Sequence, residues 1–131
     1  MPDLEGTLVG PRSYRGKVVL LNFWGTTCAP CIEEIPWLVE FQKKYGDKGL
    51  QVVAVSMYGE NAEELKPYVA QHGMEPLKVL IGSDAIANRF SVAAYPTTFL
   101  IDRQGNFHSR HLGQISRQKV EADLAYLLER D

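Results

Sequence analysis

The only two cysteines of this 131-residue chain stand together, as Cys28-Ala29-Pro30-Cys31. The apolar run Val18-Val19-Leu20-Leu21-Asn22-Phe23 leads into them. A helically spaced set, Ile32, Ile35, Leu38, Val39, Phe41 and Tyr45, leads out. Two cysteines with two residues between them at a strand-to-helix junction have the form of a redox dithiol. A helix start presents unpaired backbone N–H groups and a partial positive charge, and both favour a thiolate over a thiol. The thiolate is the nucleophile, so this placement predicts a reactive sulfur. One helical turn brings the second sulfur within bonding reach of the first, as thiol–disulfide exchange requires.

Plainer roles for the pair fit less well. A structural disulfide closing so short a loop would stabilise by only about 2 kcal/mol on the chain-entropy model. Zinc would need two more ligands. His108 and His111 exist, but their spacing on one strand points them to opposite faces. These two and His72 read as ordinary surface or strand residues.

Glu34 lies one turn from Cys31 and shares its helix face. A carboxyl buried there would have its pKa raised by desolvation and could relay a proton to or from Cys31. The alternative is an exposed acid favoured by the helix dipole, for which Glu33 is better placed. Glu60, after the second strand, has two readings, an acid in the first turn of a later helix, which is favoured, and an acid near the site. Trp24 is expected to pack beside the dithiol. Tyr58 and Tyr95 either line a groove at the site or pack elsewhere.

The elements that must hold these residues follow in order. Asp3 to Gly6 and Tyr14 to Lys17 read as turns, with Thr7 to Val9 a short edge strand. Val18 to Trp24 has the near-continuous apolar character of a strand buried on both faces. Pro36 interrupts the hydrogen bonding of the following helix and should bend it, and Gly46 and Gly49 end it. Leu50 to Met57 is a second central strand. Asn61 and Glu64 form a capping box for a helix with Leu65, Val69 and Tyr68 on its apolar face and Pro67 inside it. Leu77 to Ile81 is a third strand. Asp84 caps a short helix to Phe90. Thr97 to Asp102 and Phe107 to Leu112 form a hairpin across Gly105. Ser116 caps a last helix with Val120, Leu124, Leu127 and Leu128 on one stripe. The order βαβαβαββα predicts an α/β fold, a central mixed sheet with helices on both faces. Without repeat, linker or low-complexity stretch, one domain over residues 1–131 is expected.

Composition narrows the partners. A formal net charge of -2 gives no footprint for nucleic acid or an anionic membrane. No apolar run approaches the roughly 18 residues of a membrane span. Met1 to Gly6 has neither the basic start nor the apolar run of a leader.

Several of these segments together resemble the thioredoxin superfamily, and within it the TlpA/ResA-like branch. They are Leu21-Asn22-Phe23-Trp24-Gly25 ahead of the cysteines, Pro36 five residues after Cys31, and Tyr95-Pro96-Thr97-Thr98-Phe99-Leu100-Ile101-Asp102. The helix and strand between Asn61 and Ile81 look like the TlpA-type insertion. The resemblance implies that Cys28 is the exposed nucleophile and Cys31 the buried resolving thiol. It implies a cis peptide before Pro96, facing the dithiol, with the backbone of Tyr95 pairing with substrate. Trp24, Thr27, Tyr95 and Pro96 would then make the substrate-binding surface.

Two departures stand out. Thr27 occupies a position where relatives often carry tryptophan. Asn22 stands where thioredoxins proper have a buried aspartate, whereas Glu34 matches a glutamate found in ResA-like members. The resemblance further implies no cofactor, protein disulfides as substrates, a membrane thiol reductase as electron donor and a monomer. It implies an extracytoplasmic location, periplasmic or membrane-anchored, with a cytoplasmic one left open.

Cytochrome c maturation and metal-site assembly are the implied settings. Pro96-Thr97-Thr98 differs from the Pro-Glu-Thr of the CcmG type and favours the more general branch. Direction stays open, because potentials of such dithiols spread over about 150 mV. Thiol peroxidases share the fold, but Leu21 and Gly25 stand where their Pro-x-x-x-Thr-x-x-Cys pattern needs proline and threonine. Sco-like copper chaperones suit soft thiolates but space their cysteines by three residues.

Overall fold

The computed structural model describes residues 1–130. Its centre is strand β1, Val18–Trp24, every residue of which is buried. Strand β2, Leu50–Ser56, pairs with it in parallel, and β4, Thr97–Ile101, pairs antiparallel on the other side. Outside these lie β3, Lys78–Ile81, parallel to β2, and β5, Phe107–Leu112, antiparallel to β4. The sheet order is β3-β2-β1-β4-β5.

A central strand must be apolar on both faces, and the two faces of β1 seed two cores. Val18, Leu20 and Trp24 pack with α1 (Ala29–Tyr45), α2 (Ala62–Gln71) and α4 (Arg117–Glu129), through Ile35, Leu38, Phe41, Leu65, Val120 and Leu124. Val19, Leu21 and Phe23 pack on the opposite face with Val55, Phe99 and Val92, and with Ile86 and Phe90 at the short helix α3 (Asp84–Arg89). Chain order thus delivers Cys28 at the end of the most buried strand, at the start of a 17-residue helix.

Element by element the strand and helix assignments hold, with local differences. Residues Thr7 to Val9 form no strand. The amino-terminal segment instead makes two isolated bridges, Pro2 to Leu8 and Asp3 to Leu80. The Asp3 carboxylate causes this: Oδ1 accepts the amides of Glu5 and Thr7, both at 2.9 Å, and turns the chain back. Its Oδ2 meets Lys78 Nζ at 2.9 Å. The cap of α3 is Ser83, whose Oγ accepts the Ile86 amide, and Asp84 sits in the first turn, where its charge suits the dipole. Helix α1 continues through Pro36 to Tyr45. The capping box of Asn61 and Glu64 is present, as is the Ser116 cap of α4.

Arg103, in the turn after β4, ties the far end of the sheet together by donating to the carbonyls of Gly16, Lys48, Leu128 and Arg130. Gly49 lies against it at φ +107°, and a Cβ there would stand 2.6 Å from Arg103 Nη1. We expect Gly49→Ala to lower stability by about 1–3 kcal/mol, read as a reduced urea midpoint with unchanged steepness.

Candidate active site

Cys28 is the N-cap of α1, with extended backbone (φ -87°, ψ 107°), and its Sγ accepts the Cys31 amide at 3.3 Å. A residue at this position aims its side chain at the free N–H groups of the first turn. Cys28 and Cys31 are joined as a disulfide with their Cα atoms 5.2 Å apart. Cys28 retains 8% of its surface and Cys31 2%, so the amino-terminal sulfur is the more accessible. The Tyr95–Pro96 peptide is cis. It brings the Tyr95 carbonyl oxygen to 3.8 Å from Cys28 Sγ. Thr97 Oγ1 secures this loop by donating to the Ala94 carbonyl at 2.7 Å.

Glu34 is fully buried one turn beyond Cys31. Its Oε2 accepts the Ile115 amide at 2.6 Å, and its Oε1 accepts from Asn22 Nδ2 at 3.2 Å. The same Asn22 nitrogen donates to Thr98 Oγ1 at 2.9 Å. The pairing of β1 with both neighbours sets Asn22 opposite Thr98 and beneath α1. Burial pushes the Glu34 carboxyl up from 4.5 to about 7, against the opposing pull of the two donors. Nothing in the sequence pointed to Ile115, because its contribution is a backbone amide 81 positions away.

Glu60 corrects an expectation. It is not in the first turn of α2, because the capping box starts that helix after Asn61. Left in the loop, its carboxylate is captured by two hydroxyls, Thr26 Oγ1 at 2.9 Å and Ser56 Oγ at 3.1 Å. Tyr68 adds a second tie, donating from its hydroxyl to the Thr26 carbonyl at 3.2 Å. Trp24 is 2% exposed, shares the core cluster of both cysteines and packs on the Tyr68 ring. His72 stacks on the other partner of this set, its ring centroid 3.9 Å from that of Tyr68. Thr27 is exposed beside Cys28. Tyr58 and Tyr95 meet edge to face, centroids 5.7 Å apart.

The model of the AhpC/TSA family matches residues 1–109. The chain belongs to that family. Among curated relatives, it is 34% identical over 122 residues to the thiol-disulfide oxidoreductase ResA of Bacillus thuringiensis, covering 93% of this chain and 70% of that protein. It is 34% identical over 126 residues to the thioredoxin-like protein YneN of Bacillus subtilis, covering 95% and 73%. A Chlorobium tepidum structure, provisionally named as the thiol:disulfide interchange protein DsbE, superposes with a TM-score of 0.88 at 31% identity, covering 98% of this chain and 91% of that one. The fold is therefore thioredoxin-like. With a Cys-x-x-Cys disulfide at a helix start, this AhpC/TSA member is a protein disulfide oxidoreductase that works by dithiol exchange.

Burial of Glu34 has a thermodynamic signature. A raised carboxyl pKa means that the folded state prefers the protonated form. Its contribution is fully present below about pH 4.5 and is lost as pH rises through about 7. The loss amounts to roughly 3 kcal/mol. We expect Glu34→Gln to flatten this part of the stability profile of the oxidised protein, measured by urea denaturation between pH 4.5 and 8.

Proposed function

We propose that this enzyme reduces disulfides of extracytoplasmic proteins, with Cys28 as attacking thiolate and Cys31 as resolving thiol. The observation that carries this reading is the position of Cys28, capping α1 with its sulfur at the edge of the cis-Pro96 loop. In the reduced enzyme, the Cys28 thiolate attacks one sulfur of the substrate disulfide. A Cys28–substrate disulfide forms, and the other substrate sulfur leaves as a thiolate that takes a proton from water. Cys31 then gives its proton to the Glu34 carboxylate and attacks Cys28 Sγ. The Cys28–Cys31 bond forms, the second substrate sulfur leaves and is protonated, and two electrons have passed to substrate.

The shared helix face and burial of Glu34 support its role as that proton acceptor, since a carboxyl titrating near 7 can both take and return a proton. The Tyr95 backbone and Pro96 would pair with the substrate segment, Thr27 would form its solvent edge, and Trp24 would back the sulfurs. A membrane thiol reductase would restore the dithiol, and the protein would act as a monomer in cytochrome c maturation or metal-site assembly. An extracytoplasmic location is supported by likeness to the exposed lipoprotein thioredoxin of Streptococcus pneumoniae, at a TM-score of 0.82 and 26% identity, covering 97% of each chain. No helix among the described residues is long and apolar enough to cross a membrane.

Three measurements test the proposal. Equilibration with glutathione and dithiothreitol buffers should give a potential below about -200 mV, whereas one near -120 mV overturns the reducing direction. Cys31→Ser should accumulate the mixed disulfide with a protein substrate, and Cys28→Ser should not. If Glu34 accepts the proton, Glu34→Gln slows release of the second substrate thiol by roughly tenfold or more in rapid-quench experiments, without changing the first attack.

A further inference from the structure

The surface around Cys28 carries a feature that the exchange chemistry does not use. Tyr58, in the loop after β2, is a large aromatic residue left 43% exposed. Its position is specified from below and from the side. A Cβ on Gly25 would stand 2.2 Å from Tyr58 Cζ, so the ring lies directly on the backbone of the loop that carries the cysteines. Edge to face against it stands Tyr95, whose carbonyl oxygen is 3.8 Å from Cys28 Sγ. The ring is thus held in place yet open to solvent, against the residue whose carbonyl meets the reacting sulfur.

The chemistry of the neighbouring rim is uniform. Thr27, Ala29 and Pro30 on one side, and Ala93 and Ala94 on the other, are exposed and uncharged. Glu60, in the same loop as Tyr58, has both carboxylate oxygens occupied by hydroxyls, and the exposed carboxylate of Asp84, at the start of α3, lies on the Tyr95 side. Thr27 offers only a methyl and a hydroxyl, so an aromatic contact with substrate on this rim falls to Tyr58. A substrate cysteine attacked by Cys28 has its chain neighbours about 3.8 Å away, Cα to Cα. A side chain on such a neighbour would lie over the rim that Tyr95 and Tyr58 border. Aromatic and aliphatic side chains gain from a fixed ring, whereas a charged one gives up water there, and a cation recovers only part of that loss from an exposed ring face.

We propose that Tyr58 is a specificity-determining residue, selecting protein disulfides whose attacked cysteine is flanked by an aromatic or aliphatic residue and disfavouring charged flanks. This rests on the exchange at Cys28 proposed above and names the substrate class for it.

The test uses disulfide-linked peptide pairs that differ only at the residue beside the attacked cysteine: Phe, Leu, Asp or Lys. For the wild-type enzyme we expect kcat/KM for the Phe and Leu peptides to exceed that for the Asp and Lys peptides. Tyr58→Ala should lower that ratio by roughly three- to tenfold. Tyr58→Phe, which keeps the ring, should retain it. The reduction potential of each variant is measured alongside, and an unaltered value locates the effect in recognition. A ratio that does not change in Tyr58→Ala overturns the proposal. So does an equal fall for all four peptides, which would make Tyr58 a support of the dithiol loop. A wild-type enzyme that exchanges with none of the peptides, nor with a generic protein disulfide, would instead remove the function on which the proposal rests.

Discussion

The site depends on one buried carboxyl. Glu34 projects from α1 into the space between that helix and the sheet, where water cannot reach it. There it collects a backbone amide from the loop before α4 and an amide nitrogen from the central strand. Through Asn22 the same contact extends to Thr98 on β4. Three parts of the chain therefore meet at this carboxyl, and a fourth is joined to it through Asn22. Two donors favour the ionised form and desolvation opposes it, and the result lies near neutrality rather than at either extreme. A carboxyl held by hydrogen bonds alone would be permanently charged, and one merely buried would be permanently neutral. The balance between them makes the group able to change state.

On the other side of the dithiol a second carboxylate has a different task. Glu60 is met by two hydroxyls and anchors Thr26, so the loop between β1 and α1 is tied to the loop after β2. Tyr68 repeats the tie from α2. The cysteines thus follow a strand buried throughout and paired on both sides, and their loop is braced again before the helix begins. The chemistry of exchange needs two sulfurs that stay close while the bond between them is made and broken, and such bracing supplies that constraint.

Most of this architecture was legible in the residue pattern, because its determinants are local. Apolar continuity marked β1, capping residues marked α2 and α4, and a glycine turn marked the β4–β5 hairpin. The dithiol announced itself by spacing and by its place at a helix start. Glu34 was legible as a helix-face neighbour of Cys31. Its hydrogen-bond partners were not, since Ile115 contributes only a main-chain N–H and no side chain records that role. Glu60 was misread for a related reason. The Asn61 cap, itself legible, leaves Glu60 ahead of the helix, and the hydroxyls of Thr26 and Ser56 that hold it come from parts of the chain that local pattern does not connect. Thr7 to Val9, expected as a short edge strand, instead belongs to a turned-back segment that makes only isolated bridges. The carboxylate of Asp3 diverts it by binding two local amides, a competition that hydrophobic patterning does not register.

That diversion bears on how the molecule keeps to itself. A five-stranded open sheet has two outer strands, here β3 and β5, each able to offer a row of unpaired backbone groups to another chain. On the β3 side, Asp3 bridges to Leu80 and the Ile81 amide donates to the Pro2 carbonyl, so part of that row is already satisfied from within. The Asp3–Lys78 ion pair pins the cover in place. Among the described residues no bridge covers the β5 side, which carries His108, Arg110 and His111 along its length, polar and basic groups that resist a flat strand-to-strand approach. The two borders are protected by unlike means, one by occupation and the other by repulsion. Only the first can be lost by loosening a short peptide. On the β3 side, resistance to edge pairing therefore rests on Pro2 and Asp3 rather than on surface charge.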